Sequence, residues 1–311
     1  MTTGYLQGHQ DAWPLFGHMF DLGTAPHRTI AGLKHKYGPV AWLKIGSVNT
    51  MVILTADIAN EFFKNHDLSF VDRNIIDVMR SQNYNKGSVA LAPYGVYWRV
   101  MRRICTVEMF VTRRIKETLS VRRKCADNML LWIENQGNLV EGKRNGIEVV
   151  RYIFLASFNM LGNLMLSRDL VDPESKETSD FFNAMNGIME WGGHPNISDL
   201  FSWLRWLDLQ GLRRKMDRDM GKALDIAATF VKERMEERKA GREKREDFLD
   251  VLLEFEGSKN EPAKLSELEI NIFILEIFLA GSETTSSSIE WALSELLHNP
   301  ETMVKVTRFQ M

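Results

Sequence analysis

Cysteine is almost missing from this chain of 311 residues: Cys105 and Cys125 are the only two. Two thiols cannot staple a disulfide-rich scaffold, and neither stands in a CxxC or Cys/His spacing that would hold zinc. A reducing compartment, or its cytosolic face, is therefore expected. An excess of charge of either sign is missing too. With 39 Lys and Arg against 41 Asp and Glu, the net charge of −2 gives no general pull toward nucleic acid or an anionic surface. Uninterrupted apolar runs also fall short of the roughly 18 residues a bilayer-spanning helix needs. Ile147–Leu166 contains Glu148 and Arg151, and Ile270–Gly281 contains Asn271 and Glu276. The opening MTTGYLQGHQDAWPLFG lacks the basic-then-apolar layout of a secretory signal. These absences predict a soluble chain. At 44% hydrophobic and 26% charged residues, it is too apolar to stay disordered.

Proline is scarce in an informative way. None occurs between Pro93 and Pro173, which leaves room for long uninterrupted helices. Before that gap, a helix is expected near His27–Lys36. Val40–Ile45 and Thr50–Leu54, joined by Gly46-Ser47-Val48-Asn49, read as a hairpin, and Ala56–Asn65 as a short helix. After Tyr94 the pattern turns helical: Val96–Phe110, Thr112–Asn135, Ile147–Leu166, Glu174–Trp191, Leu212–Lys239 and Glu246–Phe255. The last segment, Ser266–His298, opens on the capping-box pattern Ser266-Glu267-Leu268-Glu269 and stops at Asn299-Pro300. Its stretch Ile270–Gly281 is apolar on nearly every face, as befits a helix through the middle of a protein. The expected fold is mainly α with a small N-terminal β hairpin. Its single domain has a β-containing part over 13–92 and a helical part over 93–311.

Two charged tracts differ in balance. Lys232–Asp247 holds seven basic and six acidic residues and reads as a solvated helix end and loop. Arg99–Lys124 carries nine Lys and Arg against two Glu. That +7 stretch is either a solvated basic face or a docking surface for an acidic partner or a cofactor's carboxylates.

Two constellations could carry chemistry. Ala280-Gly281-Ser282-Glu283-Thr284-Thr285 places small and hydroxyl residues in the middle of the buried helix. Such residues weaken the helix and compete for its carbonyls, which can open a groove. Glu283 beside Thr284 would then form a proton-donor pair. A close helix crossing that needs small residues explains the same run. Trp98 and Arg102 are four apart, hence on one helical face, where an indole N–H and a guanidinium can hold a carboxylate. A half-buried Trp beside a snorkelling Arg is the structural alternative.

Together the two stretches resemble the cytochrome P450 family of haem-thiolate monooxygenases. AGSETT is similar to its oxygen-activating motif (A/G)Gx(D/E)T(T/S), and Trp98–Arg102 to its WxxxR motif. GTAPHRTIAGLKHKYGPV, EFFKNHDLSFVDR, SVALAPYGVYWRVMRRI and SIEWALSELLHNPETM resemble plant microsomal members. LGNLMLSRDLVDPESKE and FSWLRWLDLQGLRRKM resemble the subgroup with terpenoid and iridoid oxidases. The resemblance runs from Trp13 to Val306. It implies a haem cofactor, an NADPH-dependent cytochrome reductase as partner, and a small apolar substrate. It also implies the cytosolic face of the endoplasmic reticulum, reached through an anchor this sequence does not show; the chain as written is expected in the cytosol, with no nucleic acid as partner. By the same resemblance Glu283 and Thr284 are catalytic, delivering protons for oxygen activation. Trp98 and Arg102 hold the haem propionates, and Ala280 and Gly281 let the haem approach the helix. Ile75, Val78, Met79, Phe278 and Leu279 would line the substrate pocket, and the basic face around Arg99–Lys124 would meet the reductase.

The sequence departs from the family at the metal. The cysteine loop FxxGxxxCxG is not in it, and Cys105 and Cys125 lie within helical patterns, so no axial ligand is assigned. The ExxR matches Glu141–Arg144 and Glu148–Arg151 both precede the motif helix, and chance alone accounts for them. The expected architecture is thus an incomplete cytochrome P450 fold, inactive on its own. The alternative is a non-catalytic helical binding protein that docks a partner through Arg99–Lys124.

Overall fold

A computed structural model describes residues 12–139, 146–174 and 176–308. The chain divides into two compact units: Met1–Ser81 with Glu190–Asp217, and Gln82–Met189 with Arg218–Met311.

The first unit is built around the hairpin of β1, Val40–Ile45, and β2, Val48–Ile53. Its antiparallel register pairs Val40 with Ile53 and Ile45 with Val48, so the turn is only Gly46-Ser47. Gly46 takes φ +60°, the left-handed geometry that tight hairpin turns need, which lets Val48 and Asn49 extend the strand instead of the loop. A side chain at Gly46 would also collide with the Leu200 carbonyl at 2.9 Å. Ser47 seals that contact through its N–H and Oγ, both donated to the Leu200 oxygen at 2.9 and 2.5 Å. Helices Pro26–Tyr37 and Ala56–Asn65 form as expected, the first with proline at its N-terminal turn. Asp77 is completely buried. Arg205 Nε lies 3.0 Å from its carboxylate, and its backbone N–H donates to Asp199 at 2.6 Å. Arg205, with Arg213 at 3.9 Å, offsets the cost of burying that carboxylate charge.

The second unit is the helical one. Its core is the crossing of helix Val149–Leu166 with the central helix Glu267–His298. Phe158 stacks on Phe278 with ring centroids 4.4 Å apart. A Cβ on Gly281 would come within 2.7 Å of Leu161 Cδ1, so the helices approach as closely as a bare backbone allows. The capping box forms as read: Ser266 Oγ accepts from Glu269 N–H, and the Glu269 carboxylate accepts from Ser266 N–H at 2.7 Å. Val149–Leu166 is long and apolar enough to cross a membrane, contrary to the sequence expectation. Glu148 is its N-cap rather than an interruption, and most of the helix is interior to this unit.

Several boundaries move for identifiable reasons. Val96–Ile104 gives way to a π-helical turn at Cys105–Met109. Thr118 interrupts the expected Thr112–Asn135 helix; its Oγ1 bonds back to the Arg114 carbonyl at 2.9 Å, and a new helix runs Leu119–Asn138. Pro300 does not merely end the central helix. It starts another, Pro300–Arg308, a position where its missing N–H costs nothing. The tract Lys232–Asp247 is not simply solvated. Arg234, only 5% exposed, forks onto Asp247 at 2.7 and 2.8 Å and reaches Asp250 at 2.9 Å. Arg234 and Asp247 are the buried charged residues of this tract; most of its other charges are exposed, as the sequence predicts.

Candidate functional site

The central helix changes character at Ala280. Upstream, Phe278 and Leu279 are buried, Phe278 in the stack with Phe158. From Ala280 onward one stripe opens: Ala280, Thr284 and Ser288, spaced by four, are all exposed. The helix stays continuous through this stretch, and the hydroxyls do compete for its carbonyls. Thr284 Oγ1 donates to the Ala280 carbonyl at 2.5 Å, and Ser288 Oγ to that of Thr284 at 2.7 Å. With its proton so placed, Thr284 keeps oxygen lone pairs to accept a further hydrogen bond. Glu283 is half-buried, and its carboxylate accepts from Ser287 Oγ at 3.4 Å. Gly281 turns its bare face to Leu161, so the small residues serve the helix crossing as well as the open stripe.

Trp98 and Arg102 share one face of Val96–Ile104. The Arg102 guanidinium lies over the indole, 5.8 Å from its centroid, and its side chain is exposed without an ion pair among the described residues. The Trp98 indole N–H donates to the Val89 carbonyl at 2.9 Å. Val89 belongs to a strap, Gly87–Leu91, which the sequence marked only as a family-like stretch, with no role for its donors. Three of its donors converge on Glu276: Ser88 Oγ and Ala90 N–H on Oε1 at 2.5 and 3.0 Å, Val89 N–H on Oε2 at 2.6 Å. Tyr97 OH adds a bond to the Gly87 carbonyl at 2.7 Å. Burial, with Glu269 and Glu276 nearby, pushes the Tyr97 phenol up, so it remains a donor. The only sequence signal for Glu276 was a carboxylate in an otherwise apolar stretch.

The remaining sequence-chosen residues divide between the two units. Ile75 and Met79 are half-buried and Val78 is buried, all in the first unit; Phe278 and Leu279 are in the second. A cavity of about 510 Å³ in the second unit, lined by Phe158, Leu170, Phe181, Ile226 and Phe230, contains none of them. Much of the basic tract is paired internally. Arg103 forks onto Glu261 at 2.7 and 3.0 Å, Arg113 and Arg114 flank Glu117, and Lys124 reaches Asp169 at 3.5 Å.

For a haem, this donor set fits the carboxylate edge and one open face: Arg102 exposed on its aromatic shelf, Ala280 and Thr284 unobstructed. It does not fit the axial position. Cys105 and Cys125 are both buried, and burial pushes the Cys105 thiol up to about 11 and raises that of Cys125 as well, so neither is a thiolate at neutral pH. Among the described residues no cluster of three or more His, Cys, Asp or Glu could hold a metal. Glu141–Arg144 lies outside the described residues; Arg151, of the other ExxR match, donates to the Pro173 carbonyl at 2.9 Å.

Comparison with known proteins identifies the family. The family model for cytochrome P450 matches residues 7–308. Cytochrome P450 76A2 of Solanum melongena is 63% identical over 94% of the chain. An iridoid oxidase of Catharanthus roseus is 47% identical, and a geraniol 8-hydroxylase of the same plant 34%, each again over 94% of the chain. The chain spans about 58% of the length of these three relatives. A zebrafish cytochrome P450 solved with progesterone superposes with a TM-score of 0.72 at 18% identity, over 91% of this chain and 63% of that one. At that identity the likeness is one of fold.

Proposed function

Because the chain belongs to the cytochrome P450 family, we propose that it forms the oxygen-side half of a monooxygenase site for small, apolar, terpenoid-type substrates. The opened stripe Ala280–Thr284, on a chain that aligns along nearly its whole length with an iridoid oxidase and a geraniol hydroxylase, carries this reading. Haem, when bound, supplies the oxygen-transfer chemistry. Overall, one substrate C–H, O2, NADPH and a proton become C–OH, water and NADP+, with the electrons passed on by a reductase.

The chain's residues hold and supply protons. Arg102, on its shelf over Trp98, would hold a carboxylate of a bound haem. Ala280 keeps the face clear, and Gly281 sets the backbone behind it. Thr284 accepts a hydrogen bond from a water at the open face, and Glu283, beside Ser287, passes protons toward it from solvent. In the second unit Phe278 and Leu279 supply apolar bulk beneath the open stripe, and in the first unit Ile75, Val78 and Met79 are the apolar substrate contacts. Neither Cys105 nor Cys125, both buried with raised thiol pKa values, would hold the iron of a bound haem. The cytosolic face of the endoplasmic reticulum is the proposed location. Its support is family membership and the aromatic run Phe20–Phe16–Phe201–Trp203, with centroids 5.2, 6.0 and 6.4 Å apart, where Trp206 is 80% exposed. The Arg99–Lys124 surface meets the reductase through the charges left unpaired there, raising association rate more than affinity.

Haem titration of the chain tests the half-site. Saturable binding, weakened about tenfold in Arg102→Ala by loss of a charge-assisted pair, is expected. The carbon monoxide adduct should lack a thiolate-type Soret band. Absence of saturable binding overturns the cofactor half, and a thiolate-type band overturns the exclusion of both cysteines. The substrate half is tested by a chimera that continues after Val306 with the remainder of the Solanum relative. NADPH-dependent hydroxylation of geraniol-type alcohols, lost in Thr284→Ala, is expected; a haem-loaded chimera without that product overturns the substrate class.

A further inference from the structure

Glu276 stands one turn before Ala280 on the central helix, and it is 8% exposed. No cation faces it among the described residues. Both carboxylate oxygens are taken by neutral donors of the strap: Ser88 Oγ at 2.5 Å, Val89 N–H at 2.6 Å and Ala90 N–H at 3.0 Å. Leu91 N–H completes the set by donating to Ser88 Oγ at 3.1 Å. The strap lies in no strand ladder and no helix beyond Gly87, so its backbone N–H groups need an acceptor from elsewhere. A charged acceptor makes such bonds shorter and stronger than a neutral one. Close approach is secured one turn earlier, where a Cβ on Gly87 would meet Ile272 Cδ1 at 2.9 Å.

We propose that Glu276 is a positioning residue: it registers the strap Gly87–Leu91 on the central helix and, through the Val89 carbonyl, holds the Trp98 indole that carries Arg102. The contacts form an unbroken line. Glu276 fixes Val89 N–H, the carbonyl of the same residue receives Trp98 N–H at 2.9 Å, and the guanidinium of Arg102 lies over that indole. A register shift at Glu276 therefore reaches the carboxylate-binding edge. Glutamine cannot substitute, because its amide offers one acceptor oxygen and turns an NH2 donor against a strap donor. That this matters for haem rests on the reading above; the geometry itself does not.

The test uses the 311-residue chain without cofactor, so its failure is separable from failure of the monooxygenase reading. In Glu276→Gln, exchange of the Val89 and Ala90 amides should quicken at least about tenfold, the scale of one lost buried hydrogen bond. The Trp98 indole proton, assigned through Trp98→Phe, should move upfield while that of Trp42 stays in place. A general loss of stability, measured well below the melting temperature, would not single out Trp98. Ser88→Ala, which removes one hydroxyl and leaves the carboxylate, covers the case in which Glu276→Gln does not fold. It should speed exchange at Leu91 and move Trp98 the same way by less. Folded Glu276→Gln with Val89, Ala90 and Trp98 unchanged overturns the proposal, as does Ser88→Ala with Leu91 and Trp98 unchanged.

Discussion

The two halves of the central helix obey different rules although they share one hydrogen-bond ladder. From Ile270 to Leu279 nearly every residue is interior, and Phe273, Ile274 and Leu275 have no exposed surface. From Ala280 to His298 the helix runs half bare: Trp291 is 70% and Leu297 75% exposed. Helix propensity does not explain the difference, since the second half holds good helix formers in Ala292-Leu293-Ser294-Glu295-Leu296. The first half is helical because the protein is packed around it. The second is helical because it continues the first, with its hydroxyls bonded back to its own carbonyls. The change falls at the Ala-Gly-Ser-Glu-Thr-Thr stretch, where buried scaffold meets exposed surface.

Substitutions along this helix can break or sharpen the contrast. Phe273→Ala should cost the most, about 3–5 kcal/mol in a denaturant titration, because a ring with no exposed surface leaves a cavity. Gly281→Val should cost about 1–3 kcal/mol by overpacking against Leu161. Ser266→Ala, which removes the cap, should cost about 1 kcal/mol and fray the packed half from its start. A smaller effect is expected from acid. The Arg103 guanidinium bonded to Glu261 holds that carboxyl down at about 2. A depressed carboxyl stabilises the fold at neutral pH, and the gain disappears as pH falls from the usual glutamate range through about 2. Denaturation midpoints followed from pH 5 to pH 2 should therefore drop less in Glu261→Gln than in the parent, modestly so for an exposed pair. Trp291→Ala should be the smallest, within about 0.5 kcal/mol. A loss as large as that of Phe273→Ala would show that the second half is buried in solution.

The sequence carried most of the elements. Ala56–Asn65 and Leu212–Lys239 are bounded as read, and the capping box marked the start of the central helix to the residue. What it hid were effects of partners distant in the chain. The short turn at Gly46-Ser47 closes on the Leu200 carbonyl, 153 residues further on, whereas the break at Thr118 is local, a bond to the Arg114 carbonyl. Arg234 looked solvated because charge summed along the chain says nothing of Asp247 and Asp250 folding back onto it. The motif residues were legible as types, and Thr284 and Arg102 do lie open. Glu276 was not. A carboxylate in an apolar run reads as an interruption until the donors at Ser88, Val89 and Ala90, nearly two hundred residues away, are brought to it.

Gly281 carries a geometric burden out of proportion to its size. A single added carbon there would act as a wedge between two rods, lifting Ala280 and Thr284 on the outer side as it pressed Leu161 on the inner. The height of that outer side is thus gauged from the back of the helix, by an atom the sequence leaves out.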